Sequence, residues 1–219
     1  MNTRHATERV QRASAPSATR PGASVRSGRL SVMETAVAAV VASLLLPTAL
    51  RAEDVSVPIS LQVDLLNRVA AYESHFAAQA GAEAVVLVIA RPGHPESARA
   101  AGQIDAALRR VRRLGGRPVR VVVHAFVSAA ALRDAVDTQH VAIAYLTPGL
   151  EGQVGAVARA LEGASVLTVS AVGSDAERGA VLGFELVAAR PNLVVNLRQA
   201  RRQNVSFSSQ FLRLARVIQ

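Results

Sequence analysis

The chain contains no cysteine, no tryptophan and no lysine, and only 3% of its 219 residues are aromatic. Without Cys it cannot form disulfides, so outside a reducing compartment it must hold together by packing alone. Two Tyr and no Trp leave little to stack on nucleobases, which argues against a nucleic-acid partner. Every basic residue is Arg, a bias that a GC-rich coding sequence produces and that also suits bidentate contacts with carboxylates or phosphates. Several chemical motifs are missing too. There is no G-x-S-x-G, so no nucleophile elbow for a hydrolase. The five histidines (His5, His75, His94, His124 and His140) stand alone, without H-x-x-x-H or paired Cys spacing, so no metal site is expected. No two acids are placed for acid–base work. The sequence therefore predicts no catalytic residue, no metal and no cofactor.

What is present begins with Met33 to Ala52, which reads as an export signal. Arg26 and Arg29 supply a positive start, Thr35 to Leu46 an apolar run broken by little more than Ser43, and Pro47 ends it. Leu50-Arg51-Ala52 offers aliphatic or small residues at the cleavage-pocket positions. The run is about half to two-thirds of what a bilayer core requires, which favours removal over the alternative, an uncleaved single-span anchor. The residues ahead of Met33 are rich in Ser, Ala, Pro and Arg without apolar periodicity, as in a disordered tail or a start codon assigned too early. Residues 1–52 are thus expected to be leader and residues 53–219 a single domain. The formal charge of +9 is mostly the leader's: it holds seven Arg and two acids, leaving 18 Arg against 14 acids, about +4. After the leader no apolar run reaches spanning length without Gly, Pro or charge, so no stable membrane span is expected after cleavage.

The order of elements predicts an α/β fold. Ile59, Val63, Leu66, Val69 or Ala70 and Phe76 recur at helical spacing from a first-turn Pro58, with Ser56 as a possible cap and Gly81 as the end. Ala84 to Ile89 is apolar without alternation, as in a strand covered on both faces. The pattern then repeats: helix Pro95 to Leu114, strand Val119 to Val123; helix Ser128 to Val136, strand Val141 to Leu146; helix Glu151 to Leu161, strand Ser165 to Val169. This rhythm predicts right-handed βαβ units, about four parallel strands, and helices on both faces. Val181 to Val187 and Leu193 to Leu197 are separated by too few residues for a crossover helix, which predicts an antiparallel hairpin at the sheet edge. Ser208 to Val217 is expected to close the chain as an apolar helix capped by Ser206 or Ser208. No repeat of fixed period is present beyond this alternation.

Ligands of open α/β sheets meet the loops at the carboxyl ends of parallel strands. Those loops hold Arg91, His94, Thr147, Gly149, Ser170, Ser174, Asp175 and Arg178, which either form a small anion or metabolite pocket or serve as ordinary solvated turns. Gly149, Gly152 and Gly155 recur where a strand enters a helix. Their amides could hold an anion, or the glycines let that helix pack close to the sheet; the dinucleotide spacing G-x-G-x-x-G is not met. The densest charge cluster (Arg109, Arg110, Arg112, Arg113, Arg117 and Arg120) complements a helix C-terminus or faces an acidic protein partner.

Toward the carboxyl end, Gly183-Phe184-Glu185-Leu186, Leu193-Val194-Val195-Asn196-Leu197, Ala200-Arg201-Arg202 and the run Ser208 to Val217 together resemble the terminal signature of the YfiR-like family. The resemblance implies an exported, layered α/β domain. It also implies a periplasmic regulator that restrains a membrane-bound diguanylate cyclase, and so cyclic-di-GMP output and biofilm growth. Some relatives use cysteines for redox-sensitive bridges, which this chain lacks. No catalytic residue carries over. Contact with the periplasmic domain of a sensor or cyclase, or with a second copy in a homodimer, is expected at the terminal helix through Phe207, Phe211, Leu212 and Leu214. Spacing alone gives those residues an equal claim to core packing. The alternative class is a periplasmic module binding a small ligand or anion for a transporter or sensor.

Overall fold

The computed structural model of the chain describes residues 57–219; the expected leader over 1–52 and the Ser56 cap lie outside them. Helix α1 (Ile59–Tyr72) buries Val63, Leu66, Val69 and Ala70, the three-and-four spacing of one helical face. The helix expected to run on to Gly81 instead breaks, and α2 (Phe76–Ala80) follows. The reason is Glu73, whose buried carboxylate accepts the backbone N–H groups of His75 and Ser206, both at 3.0 Å. A carboxylate so placed turns the chain out of the helix and ties it to a segment far along the sequence.

Strand β1 (Ala84–Ala90) is buried along nearly its whole length because helices cover both faces. Val86 and Val88 face one core with Ile104 and Leu108, whereas Val85, Leu87 and Ile89 face the other with Leu132 and Val136. Helix α3 (Pro95–Val111) is shorter than the sequence suggests. Arg112 is left-handed (φ 59°) and returns its N–H to Leu108, after which β2 (Arg113–Leu114) pairs antiparallel with the start of β3 (Arg117–Ala125). Gly115 and Gly116 both have positive φ, the turn that a two-residue hairpin demands. The chain continues through α4 (Ala129–Gln139), β4 (Ile143–Leu146), α5 (Val154–Ala160), β5 (Leu167–Ser170), α6 (Asp175–Arg178), β6 (Leu182–Val187), β7 (Arg190–Asn196), α7 (Leu197–Arg202), α8 (Ser209–Leu212) and β8 (Arg216–Ile218).

The sheet order is β2-β3-β1-β4-β5-β6-β7-β8. Strands β3, β1, β4, β5 and β6 run parallel, and β6 and β7 form the expected antiparallel hairpin. Beyond the hairpin lies β8, parallel to β7. This corrects the expected closing helix over Ser208 to Val217. Only Ser209–Leu212 is helical, capped by Ser208 as anticipated, and Arg216 then pairs with Glu185 and Glu177 from the β8 position. Phe211, Leu212, Leu214, Ala215 and Ile218 satisfy a helical period on paper. A short helix, a turn and an edge strand satisfy it equally, and the ion pairs with Glu185 and Glu177 favour the latter. Those pairs, chiefly the hydrogen bonds that Arg216 donates to Glu185, raise the pKa of Arg216 above its ordinary value.

Candidate functional site

The carboxyl ends of β1 and β4 are neighbours in the sheet, yet the chain leaves them toward opposite faces. Helix α3 packs with the core that holds Val86, and α5 with the core that holds Leu87. This is the topological switch point, where an open α/β sheet leaves a crevice. In this chain the crevice is bridged by its own polar groups. The Thr147 hydroxyl donates to the Ile89 carbonyl (2.9 Å), Ser97 and Thr147 share a hydroxyl–hydroxyl bond of 2.6 Å, and the Arg91 N–H donates to Ser97 Oγ (2.7 Å). The Arg91 guanidinium crosses to the Gly149 carbonyl at 3.0 Å. His94 caps α3 by accepting the Ser97 N–H on Nδ1 (3.3 Å). Gly149 has φ 90°, and a Cβ there would fall 2.7 Å from His94 Nδ1, so glycine is required for the imidazole to lie against that turn.

Four of the eight predicted loop residues, Arg91, His94, Thr147 and Gly149, therefore meet at the switch point. The residue that completes the cluster, Ser97, was not singled out from the sequence. Its only signal is its position three residues after a capping His94 in the first turn of α3.

The other four form a second cluster where β5 enters α6. Buried Ser170 donates to buried Asp175 (Oγ to Oδ2, 2.6 Å) and accepts the Val172 N–H (3.1 Å). Arg178 reaches back with Nη1 to the other Asp175 oxygen and to Ser174 Oγ, both at 2.9 Å. The serine hydroxyl is thus committed to a carboxylate that is itself held by a guanidinium. The loop lies close on β6: a Cβ at Gly183 would sit 2.8 Å from the Gly173 carbonyl, and one at Gly173 would sit 2.7 Å from the Glu185 Cβ.

A groove of about 560 Å³ opens beside this crest, between the start of α1 and the length of α3. Gln62 and Tyr145 line it, joined by a 2.5 Å bond from the phenol to Gln62 Oε1, while Gln62 Nε2 donates to the Val57 carbonyl. Burial without a compensating charge raises the Tyr145 pKa well above that of a free phenol, so the group is a neutral donor. Glu96, Arg99, Gln103 and Arg110 form the outer wall, and Pro148 and Ala171 the end. None of the eight predicted loop residues lines the groove. The α3 side chains that do line it recur on one exposed helix face, which in sequence is indistinguishable from an ordinary solvated face. Among the described residues, no group of three or more His, Asp or Glu is placed to hold a metal ion.

The terminal residues divide by depth. Phe207 and Phe211 are buried, their ring centroids 5.0 Å apart, with Tyr72 stacked on Phe211 at 6.1 Å. Leu212 is half-buried, and Leu214 is 68% exposed. The Arg cluster is dispersed: Arg109 pairs with Asp105, Arg120 with Glu83, Arg113 donates to the Gly116 carbonyl and Arg117 to that of Ala77.

Comparison with solved structures finds a similar fold in several proteins of low sequence identity. A substrate binding protein with adhesive properties from Clostridium difficile, in its ligand-free open form, superposes with a TM-score of 0.54 at 10% identity, over 74% of this chain and 60% of that one. An ABC domain from Streptococcus pneumonia in complex with L-Trp gives 0.52 at 12% identity, over 74% and 60%. A conserved domain protein from Vibrio cholerae gives 0.50 at 14%, over 76% and 61%. The chain thus spans about three-fifths of each of these structures, and at these identities the likeness concerns the fold alone. No curated protein sequence matches the chain. The model of the YfiR/HmsC-like family matches residues 60–216, nearly all of the described domain, and the chain belongs to this family.

Proposed function

We propose that this protein is exported by a cleaved leader and restrains a membrane-bound signalling protein, a diguanylate cyclase, by contact with its periplasmic domain. Family membership over residues 60–216 carries the reading. The arrangement of the crest agrees with action by contact. The hydroxyls of Ser97, Thr147 and Ser170 are engaged in bonds that brace loops, and none stands free as a nucleophile beside a base. Braced loops present a fixed surface, which lets a partner be recognised without first ordering it. Arg91 and Arg178 are the exposed members of that surface, and Leu214 is exposed at the carboxyl end. Binding that favours the inactive arrangement of the sensor would lower its output by population shift. Deleting the gene should raise cellular cyclic-di-GMP, with complementation restoring it; an unchanged level in the deletion strain refutes the cyclase as target.

A second reading is a periplasmic module that binds a small ligand or anion. Its support is the 560 Å³ groove with Arg99 and Arg110 on its wall, together with a fold like that of substrate-binding proteins. A thermal-shift screen of amino acids, nucleotides and organic acids tests it: a stabilising compound whose effect disappears in Arg99→Ala favours this reading, and no stabilisation by any compound removes it.

A further inference from the structure

The β6–β7 hairpin reaches past the rest of the sheet. Strand β5 pairs with β6 only at Leu182 and Gly183, and β8 pairs with β7 only from Val194 to Asn196. The outer rungs, Phe184–Leu193, Glu185–Asn192, Leu186–Pro191 and Val187–Arg190, have no flanking strand among the described residues. Phe184 and Leu193 are buried and Leu186 is half-buried against the core, but Val187 to Pro191 are exposed, Val187 by 53%. At about 3.4 Å per residue the ribbon extends roughly 13 Å beyond Gly183, past the crest where β5 ends. Two-stranded ribbons are marginal on their own, yet this one is held stiff. Glu185 accepts from Asn192 Nδ2 at 2.9 Å across its rung and from Arg216 Nε and Nη2 at 3.2 and 3.0 Å, and Arg216 also reaches Glu177 at 3.2 Å. The crest loop presses on the same rung at Gly173, and Pro191 has its φ locked by its ring. The tip itself is strained. A two-residue connection of this kind needs positive φ at both positions, which Asn-Gly adopts readily and alanine does not. Ala188 and Ala189 nonetheless stand there with φ 49° and 60°. Strain of this sort gathers at sites of contact.

We propose, resting on the regulatory reading above, that this finger is the element the protein inserts into its partner. Val187, Ala188 and Ala189 enter a narrow apolar slot in the periplasmic domain of the signalling protein, and Arg190 meets an acidic group at the rim of that slot. The chemistry of the tip selects this occupant. Three small apolar side chains in a row on a ribbon end fit a slot rather than a flat patch. Arg190 is exposed, and among the described residues no acid pairs with it, so its charge is free for a partner's carboxylate. A lipid surface is a poor match, because the tip carries no aromatic residue and a single cation. The bracing at Glu185 has a use here: a finger already stiff is bound without the cost of ordering it. The Glu177–Glu185–Arg216 cluster thereby gains a role as the positioning base of a contact, beyond closing the edge of the sheet.

Variants of the tip, expressed in a strain deleted for the gene, test the finger. Val187→Glu and Arg190→Ala replace exposed side chains, so each should keep its Tm within about 2 °C of the wild type. Each is expected to leave cyclic-di-GMP at the level of the deletion strain. Ala188→Asn combined with Ala189→Gly relieves the turn and should raise Tm by roughly 2–8 °C. The added carboxamide would lose its hydration in an apolar slot, so this more stable protein should restrain less. Because the chain has no cysteine, Ala189→Cys can also carry a thiol-reactive photo-crosslinker. Mixed with spheroplasts of the deletion strain, it is expected to give an adduct with a membrane signalling protein, identified by mass spectrometry, whereas Ala130→Cys on α4 should not. If deletion raises cyclic-di-GMP and the three tip variants restrain as the wild type does, the finger is not the contact and the regulatory reading stands. A deletion strain with unchanged cyclic-di-GMP removes both. Equal adducts from positions 189 and 130, or adducts at 189 with lipid or a second copy alone, overturn the finger.

Discussion

Replacing Asp175 by Ala removes the centre of the Ser170–Asp175–Arg178 cluster, and the structure sets what that should cost. Asp175 is 1% exposed, and its carboxylate accepts from the fully buried Ser170 hydroxyl at 2.6 Å and from Arg178 at 2.9 Å. The bond from Ser170 is charge-assisted, worth about 1.5–3 kcal/mol, and once it is gone the hydroxyl has lost the acceptor seen in the structure. The Arg178 side chain is 48% exposed and can return to water, so its part is about 0–1 kcal/mol after screening. The loss should therefore be about 2–4 kcal/mol for Asp175→Ala and under about 1 kcal/mol for Arg178→Ala. In a domain of this size each kcal/mol moves Tm by about 2–4 °C, so Asp175→Ala should melt roughly 4–16 °C lower, and Arg178→Ala within about 4 °C of the wild type. Differential scanning calorimetry of the two variants side by side measures both. If Arg178→Ala costs as much as Asp175→Ala, the stabilisation lies in the exposed ion pair and the reasoning from the buried hydroxyl is wrong. If Arg178→Ala keeps its Tm yet loses control of the signalling partner, the cluster has a structural interior and a contact surface.

Tyr145→Phe should cost about 1–3 kcal/mol, because Gln62 Oε1 loses its buried donor; urea titration at neutral pH measures it. Since burial raises the phenol's pKa in the folded state, the unfolded chain gives up this proton first as pH climbs past about 10, so wild-type stability should fall there and Tyr145→Phe should flatten the slope. Gly183→Ala should destabilise by about 1–3 kcal/mol, because its Cβ would meet backbone atoms of Val172 and Gly173 within 2.9 Å that no rotamer change can move; an unchanged Tm would show that the loop shifts freely. Leu214→Glu should leave stability within about 0.5 kcal/mol, since the side chain is 68% exposed, and should weaken restraint of the signalling partner if that surface is the contact; full activity in cells would move the contact elsewhere.

The sequence by itself determined the layered α/β architecture, because unbroken apolar runs such as Ala84 to Ile89 occur only where helices cover both faces of a strand, and helices such as α1 declare their buried face by period. It also determined the β6–β7 hairpin, from a connector too short to cross over, and the family, from the terminal signature. Tertiary structure decided what depends on partners distant in sequence. Glu73 broke a helix whose period runs on, because its carboxylate found the Ser206 N–H. The final residues became a strand, because Arg216 met Glu185 and Glu177 across the sheet. The polar loop residues sorted into two bracing clusters, and the groove opened among α1 and α3 side chains that carry no local mark. Periodicity records which face of an element is buried, whereas the partner that satisfies a buried polar group is fixed only when the chain has folded around it.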